Sequence, residues 1–247
     1  MVIQFDNILN ARDLGGIPLI GGRRVKPGLL LRSAHLGSAT DGDLALLSEK
    51  YGVRHVLDLR DAGELARKPD RPVPGAEMRH LQVFERMPGD PKKFDSMTGD
   101  EVHALFIEIY SVLAESDHCA AAYGEFFRVL LSAGGAAVLW HCTQGKDRTG
   151  VAAILLLTAL GADRQAVLAD YLLSNEAMQP EYERCIRAGM RESELHYMRE
   201  LLFVMPDCVD AYFDRLETLY GGVDGYLRRR LGLTDGDFRL LREYYTE

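Results

Sequence analysis

Apolar and polar positions follow several different periods along the chain, and each period predicts an element. Thr40 followed three residues later by Asp43 is a capping-box signature, and Leu44, Leu46, Leu47 and Tyr51 continue from it at helical spacing. Val53 to Leu59 reads as a strand whose end carries Asp58-Leu59-Arg60. Helical spacing returns over residues 101–115 and 119–132, and Gly134-Gly135 interrupts it. The compact apolar run Ala136-Ala137-Val138-Leu139-Trp140 then predicts a strand buried on both faces. Val151 to Gly161 is helical by length and apolar on nearly every side, the pattern of a central core helix. Asp163, Asp207 and Thr234 stand at N-cap positions ahead of further helical stretches. Together these elements predict an α/β fold, a central and mostly parallel sheet flanked by helices, with a helical C-terminal layer over residues 181–247.

Composition narrows this picture. With 247 residues, 47% of them hydrophobic, the chain holds enough apolar material for a substantial core, and it is read as a single domain over residues 1–247. A net charge of −8 excludes a protein that coats nucleic acid or an anionic membrane nonspecifically, so an anionic ligand must meet a local basic pocket. The longest apolar run, Val151 to Leu160, falls well short of the roughly 20 residues a bilayer needs, so no integral membrane segment is expected. The opening MVIQFDNILNARD has no cationic start and no apolar h-region, which argues against a secretory signal. Cys119, Cys142, Cys185 and Cys208 lie far apart without a CxxC pair, so reduced thiols in a cytoplasmic setting are expected, with no metal and no cofactor. Five of the nine prolines, from Pro69 to Pro91, and a Gly/Asp-rich stretch to Asp100 mark residues 61–100 as long loops. Within residues 84–132, Met87 to Asp100 and the helix carrying Phe106 and Tyr110 form a candidate lid, set against the default of a plain surface loop.

The candidate chemistry lies in HCTQGKDRTG, His141 to Gly150, between the buried strand and the apolar helix. Amides from Thr143 through Arg148 fit a concave nest, and a helix starting near Thr149 points its positive end into the same space, which suits a tetrahedral anion. At the base of that nest Cys142 meets the helix end, the amides and the Arg148 guanidinium, all of which favour thiolate over thiol. Arg148 offers a planar fork for two phosphoryl oxygens, which a lysine's point charge matches less well. Gly145 lets the loop bend at positive φ, Thr149 is placed to donate its hydroxyl to the sulfur, and His141 is placed to fix the loop without touching the ligand. A lone buried cysteine or surface arginine is ordinary, but chance places His-Cys, a glycine and Arg-Thr-Gly at these offsets on the order of once in a hundred thousand chains of this kind.

The loop HCTQGKDRTG resembles the phosphate loop of the protein tyrosine phosphatase superfamily: His-Cys, five residues, then Arg-Thr-Gly. Asn10-Ala11-Arg12-Asp13-Leu14-Gly15-Gly16, Asp58-Leu59-Arg60 and Asp170-Tyr171-Leu172-Leu173-Ser174-Asn175 narrow the likeness to the atypical bacterial tyrosine and lipid phosphatases of the secreted-effector type. The resemblance spans roughly residues 5–180 by scattered motifs. It implies a hydrolase in which Cys142 carries the phosphoryl group as phosphocysteine. Arg148 and the loop residues Thr143, Gln144, Gly145, Lys146 and Thr149 bind phosphate, and Lys146 and Asp147 distinguish the subfamily.

Leaving-group protonation needs a carboxylic acid within hydrogen-bond reach of the ester oxygen. The single tryptophan, Trp140, directly precedes His141, so the Trp-Pro-Asp acid loop of many relatives is absent in its usual form. Asp147 is the first choice for this acid by the resemblance, with Asp58, Asp90 and Asp95 as alternatives and a merely solvated carboxylate as the bland reading of Asp147. Lys146 is the one lysine after Lys93, and a lysine in this loop resembles phosphoinositide phosphatases. The expected substrates are therefore phosphotyrosine proteins, with phosphoserine or phosphothreonine and phosphoinositides added. Arg12, Asp13 and Arg60 read either as substrate contacts or as buried Arg–Asp pairs tying loops together, and Asp170–Asn175 as a helix packing polar groups behind the site. A rhodanese-like sulfurtransferase and a phosphate-binding module without turnover are the competing classes. The first normally lacks Arg-Thr-Gly at this spacing, and the second has no use for an easily oxidised thiol.

Overall fold

The computed structural model describes residues 1–85 and 96–247. Its strands are β1 (Arg12–Asp13), β2 (Leu30–Ser33), β3 (His55–Asp58), β4 (Glu77–His80) and β5 (Val138–His141). They form one sheet in the order β1-β2-β5-β3-β4, parallel except where β1 runs against β2. Side chains alternate across a strand, so Val138 and Trp140 enter one apolar cluster while Leu139 between them enters another on the opposite face. The expected buried strand is thus found, shifted to end on His141.

The principal helices are α1 (Asp41–Ala45), α2 (Ala62–Arg67), α3 (Gly99–Glu115), α4 (Asp117–Ser132), α5 (Asp147–Leu160), α6 (Arg164–Arg187), α7 (Glu192–Leu202), α8 (Pro206–Tyr220) and α9 (Asp235–Tyr245), with wider turns at Leu46–Lys50 and Tyr226–Arg230. Caps written in the sequence set their starts. Thr40 and Asp43 form the capping box of α1, Asp163 accepts from the Ala166 amide to open α6, and Thr234 pairs with Asp237 at α9. Asp207 corrects its expectation: it lies in the first turn of α8, whose N-cap is Met205, because Pro206 at the first helical position needs no amide partner. The α5 helix also starts earlier than expected, at Asp147, and every residue from Arg148 to Leu157 is buried. The larger apolar cluster runs from Leu14 to Tyr245 and joins α5 to the helices of the C-terminal layer. Near the chain end, Arg24 and Glu247 exchange both backbone hydrogen bonds, and the Tyr245 hydroxyl donates to the Leu130 carbonyl at 2.8 Å.

Ser33, His141 and Asp58 stand side by side at the carboxyl ends of β2, β5 and β3. Cys142 follows at this edge, the place where open parallel sheets present ligands.

Candidate active site

Between β5 and α5 every loop carbonyl is taken from outside. His141 Nδ1 lies 3.3 Å from the Cys142 oxygen, the His35 amide donates to Thr143 at 3.3 Å, and the Asn10 side chain donates to Gln144 at 3.0 Å. Arg32 donates to the Gly145 and Lys146 oxygens at 2.8 and 3.4 Å. A trans peptide unit points its C=O and the next N–H in opposite directions, so the amides from Thr143 to Asp147 turn to the inner side of the loop. Gly145 makes this bend possible twice over. Its φ is +69°, and a Cβ there would stand 2.2 Å from the Ser33 carbonyl oxygen.

Arg148 enters from the first turn of α5 and is buried. Glu64 of α2 grips it in a fork, with Nη1 donating at 2.5 Å and Nη2 at 2.8 Å, while the Thr143 hydroxyl donates to the same carboxylate at 2.5 Å. The capping box of α2 fixes that carboxylate, since Glu64 also accepts from the Asp61 amide at 3.0 Å. Burial works against charge at both groups, yet their mutual hydrogen bonds win: Arg148 is raised above its ordinary value and Glu64 is lowered to about 2. With Nη1 and Nη2 both turned to Glu64, the side edge of the guanidinium, Nε–H and the second Nη2 hydrogen, is the two-donor fork that remains for a ligand.

Two polar networks hold the loop from behind. Asp170 of α6 accepts from Arg12 at 2.7 Å and from Arg32 at 2.6 Å, and all three are buried. Burial, then Arg12, lowers Arg32 to about 10 against the pull of Asp170. Ser174 takes a second bond from Arg12 at 3.2 Å, and Asn175 pairs with the Val204 backbone, so the Asp170–Asn175 stretch packs behind the loop as expected. On the other side Arg60 binds Asp58 through two nitrogens and also Asp70, and His141 Nε2 lies 3.1 Å from Asp70. Burial opposes the Asp70 charge, but His141 and Arg60 hold it down at about 2. Arg12 and Arg60 are therefore tie residues, and both Asp58 oxygens are occupied by Arg60.

Asp147, at the start of α5, accepts from the Tyr110 hydroxyl at 3.0 Å, and Tyr171 lies 2.8 Å from that hydroxyl. Burial, then the Asp147 charge, holds both phenols well above their usual range, so they remain neutral donors. The family comparison matches this frame. A model of the tyrosine phosphatase family covers residues 3–247. The chain belongs to that family.

A Cupriavidus necator protein designated a tyrosine-protein phosphatase is 34% identical over 252 residues, with 98% of this chain and 88% of that protein covered. The triple specificity protein phosphatase PtpB of Mycobacterium tuberculosis is 29% identical, covering 83% and 86%. A tyrosine-protein phosphatase of Nostoc commune is 27% identical, covering 86% and 72%. The chain is therefore a phosphoric monoester hydrolase, and the rhodanese and binding-module readings give way to it. The match takes in the C-terminal helices, where the motif resemblance had stopped.

One expected contact of the phosphatase is corrected. The Lys146 ammonium does not face the loop's inner space: it donates to the Leu201 and Phe203 carbonyls at 2.5 and 3.1 Å and lies over the Phe106 ring. Those carbonyls close the end of α7 and outcompete water for a buried cation, and burial lowers Lys146 despite the Asp147 charge. Lys146 thus offers a ligand its amide rather than its charge. The Thr149 hydroxyl is buried and makes no hydrogen bond to the sulfur, or to any other group among the described residues.

Asp90 and Asp95, with residues 87–95 of the expected lid, lie outside the described residues. Phe106 and Tyr110 of that lid belong to α3 and pack on Lys146 and Asp147. Glu64, Arg32, Asp70 and the Tyr110–Tyr171 pair were missed in the sequence. The Asp61-x-x-Glu64 capping spacing and a lone arginine inside the apolar run Leu29-Leu30-Leu31-Arg32 were available signals. Among the described residues two groups have metal-ligand chemistry, Asp58-Asp70-His141 and His103-Asp207-Cys208. In the first, the Arg60 guanidinium already bridges both aspartates. No helix among the described residues is long and apolar enough to cross a membrane.

Proposed function

We propose that this phosphatase works through a covalent phosphocysteine formed on Cys142, within one phosphatase domain over residues 1–247. The observation carrying the reading is the loop whose carbonyls all bond outward, leaving five amides, Cys142 and the free side edge of Arg148 around one space. The Cys142 thiolate attacks phosphorus in line, the ester P–O bond breaks, and Asp147 delivers a proton to the departing oxygen. Water then attacks the phosphocysteine, the ionised Asp147 takes its proton, and the S–P bond breaks to release phosphate. The amides of Thr143, Gln144, Gly145 and Lys146 and the Arg148 side edge meet the equatorial oxygens through both steps. The Thr149 hydroxyl, lacking another partner, is the donor available to the sulfur as it leaves.

Phosphotyrosine proteins are the proposed substrates, with phosphoserine, phosphothreonine and phosphoinositides as additional ones. The triple specificity named for the mycobacterial relative and a cleft of about 250 Å³ beside the loop support this range. Lys68 and His35 line that cleft with Thr143 and Gln144, so Lys68 is the cation placed to meet a further phosphate of a multiply phosphorylated head group.

Hydrolysis of an aryl phosphate by the wild type, Cys142→Ser and Asp147→Asn tests the scheme. Cys142→Ser is expected to be inactive, and Asp147→Asn to lose the alkaline limb of the pH–rate profile. Turnover that survives Cys142→Ser overturns the mechanism. Lys68→Ala is expected to lower the ratio of phosphoinositide to phosphotyrosine turnover, and an unchanged ratio removes Lys68 from the substrate assignment.

A further inference from the structure

Away from the phosphate loop, three helices bring unlike ligand atoms together. His103 projects from α3, Glu200 from the last turns of α7, and Asp207 and Cys208 from the first turn of α8. His103 Nδ1 lies 2.8 Å from Glu200, and His103 Nε2 lies 2.7 Å from Asp207. The ligand atoms of His103, Asp207 and Cys208 all fall within 4.8 Å of one another. Cys208 and Glu200 are buried, while Asp207 is open to solvent. Neither the family match nor the phosphoryl chemistry proposed above gives this cluster a task.

We propose that His103, Asp207 and Cys208 form a binding site for a divalent cation of the zinc class, separate from the phosphatase centre. Imidazole nitrogen, carboxylate oxygen and thiolate sulfur together are the donor set of zinc, whereas magnesium and calcium seek oxygen alone. Glu200 on the far ring nitrogen is the partner a metal-bound histidine usually has, because it fixes the ring and leaves Nε2 facing the ion. Zinc–ligand distances put tetrahedral edges at roughly 3.3–3.7 Å, so the Nε2–Oδ2 contact must open by about 0.6 Å, which the exposed Asp207 side chain permits. On binding, the Cys208 S–H proton passes to solvent as the S–metal bond forms, and water completes the fourth position on the open Asp207 side. The ion would join α3, α7 and α8, and α7 ends in the Leu201 carbonyl that holds Lys146. Occupancy therefore stiffens the helices that cover the loop.

The test uses the full chain carrying Cys142→Ser, which removes the loop thiol from the readout. Titration with Co²⁺ is expected to give tetrahedral visible bands and a cobalt–thiolate charge-transfer band saturating at a single equivalent, with Zn²⁺ bleaching both. Adding Cys208→Ser should abolish the charge-transfer band, and adding Cys185→Ser should leave it intact. Asp207→Asn, at an exposed position that the fold tolerates, should weaken Co²⁺ binding at least about tenfold, as expected for losing a first ligand. Zn²⁺ should raise the melting temperature of the Cys142→Ser protein and not that of its His103→Ala derivative. Absence of the charge-transfer band at a single equivalent, its persistence in the Cys208→Ser protein, or unchanged affinity in Asp207→Asn overturns the site.

Discussion

Glu64 shows how much one carboxylate can determine. Its two oxygens hold the Arg148 fork, the Thr143 hydroxyl and the Asp61 amide together, so it acts on the ligand space through its neighbours. Glu64→Ala is expected to lower kcat on an aryl phosphate by about 10²-fold through misplacement of Arg148, with Glu64→Gln recovering part of the loss. Steady-state kinetics of the three proteins checks this, and equal kcat values would remove Glu64 from a positioning role. Glu64 and Asp70 also set an acid limit. Both are lowered to about 2 from ordinary values of 4.5 and 3.8, so the folded state binds fewer protons than the unfolded one over that interval. The stability they contribute is fully present above pH 4.5 and is lost as the pH falls towards 2. Thermal melts from about pH 6 down to about pH 2.5, which covers most of that interval, should fall most steeply below pH 4.5, and less steeply in Glu64→Gln.

The strand–loop–helix unit depends on a close approach of backbones. With Gly145 at φ +69° and the Ser33 carbonyl 2.2 Å from where a Cβ would stand, Gly145→Ala must push the loop away from β2. Its kcat is expected to fall by about 10²-fold or more, as a displacement of order 1 Å at a reacting centre does. Arg148→Lys, which keeps charge but loses the planar fork, is expected to lose about 10²–10³-fold in kcat. Both variants should still bind inorganic phosphate more tightly than a Cys142→Ser/Arg148→Ala double variant, measured by calorimetry. The legible parts of this unit were the apolar strand, the apolar helix and the glycine. The outward Lys146 was not legible, because the carbonyls that attract it come from Leu201 and Phe203, 55 and 57 positions away.

Across the whole molecule Asp170 is the point where distant segments meet. It pairs with Arg12, 158 positions away, and with Arg32, 138 positions away, and Arg32 in turn holds the loop between β5 and α5. Removing its charge leaves two buried guanidinium groups without their counter-ion. Asp170→Asn is therefore expected to destabilise the protein by about 3–5 kcal/mol, read from urea unfolding, and to lower kcat as the loop loosens. A stability loss below about 1 kcal/mol would show that the network is not what holds the loop.

Local structure was legible in the sequence itself: apolar runs marked β3 and β5, caps and helical spacing marked most of the helices, and the His-Cys to Arg-Thr-Gly spacing marked the candidate site, because these depend on residues within one or two turns of each other. The elements β1, β2, β4 and α2 were not read from the sequence, the last two lying in a stretch expected as loops. Asp207 marks the edge of that legibility, since the neighbouring Pro206 rather than its own capping tendency fixed the start of α8. Tertiary structure alone decided which carboxylate grips Arg148, where the Lys146 charge goes, and that His103 meets Cys208. Those outcomes follow from which buried charge finds a partner once the helices have packed, and a buried charge takes the partner that packing supplies, however far away it lies in the chain.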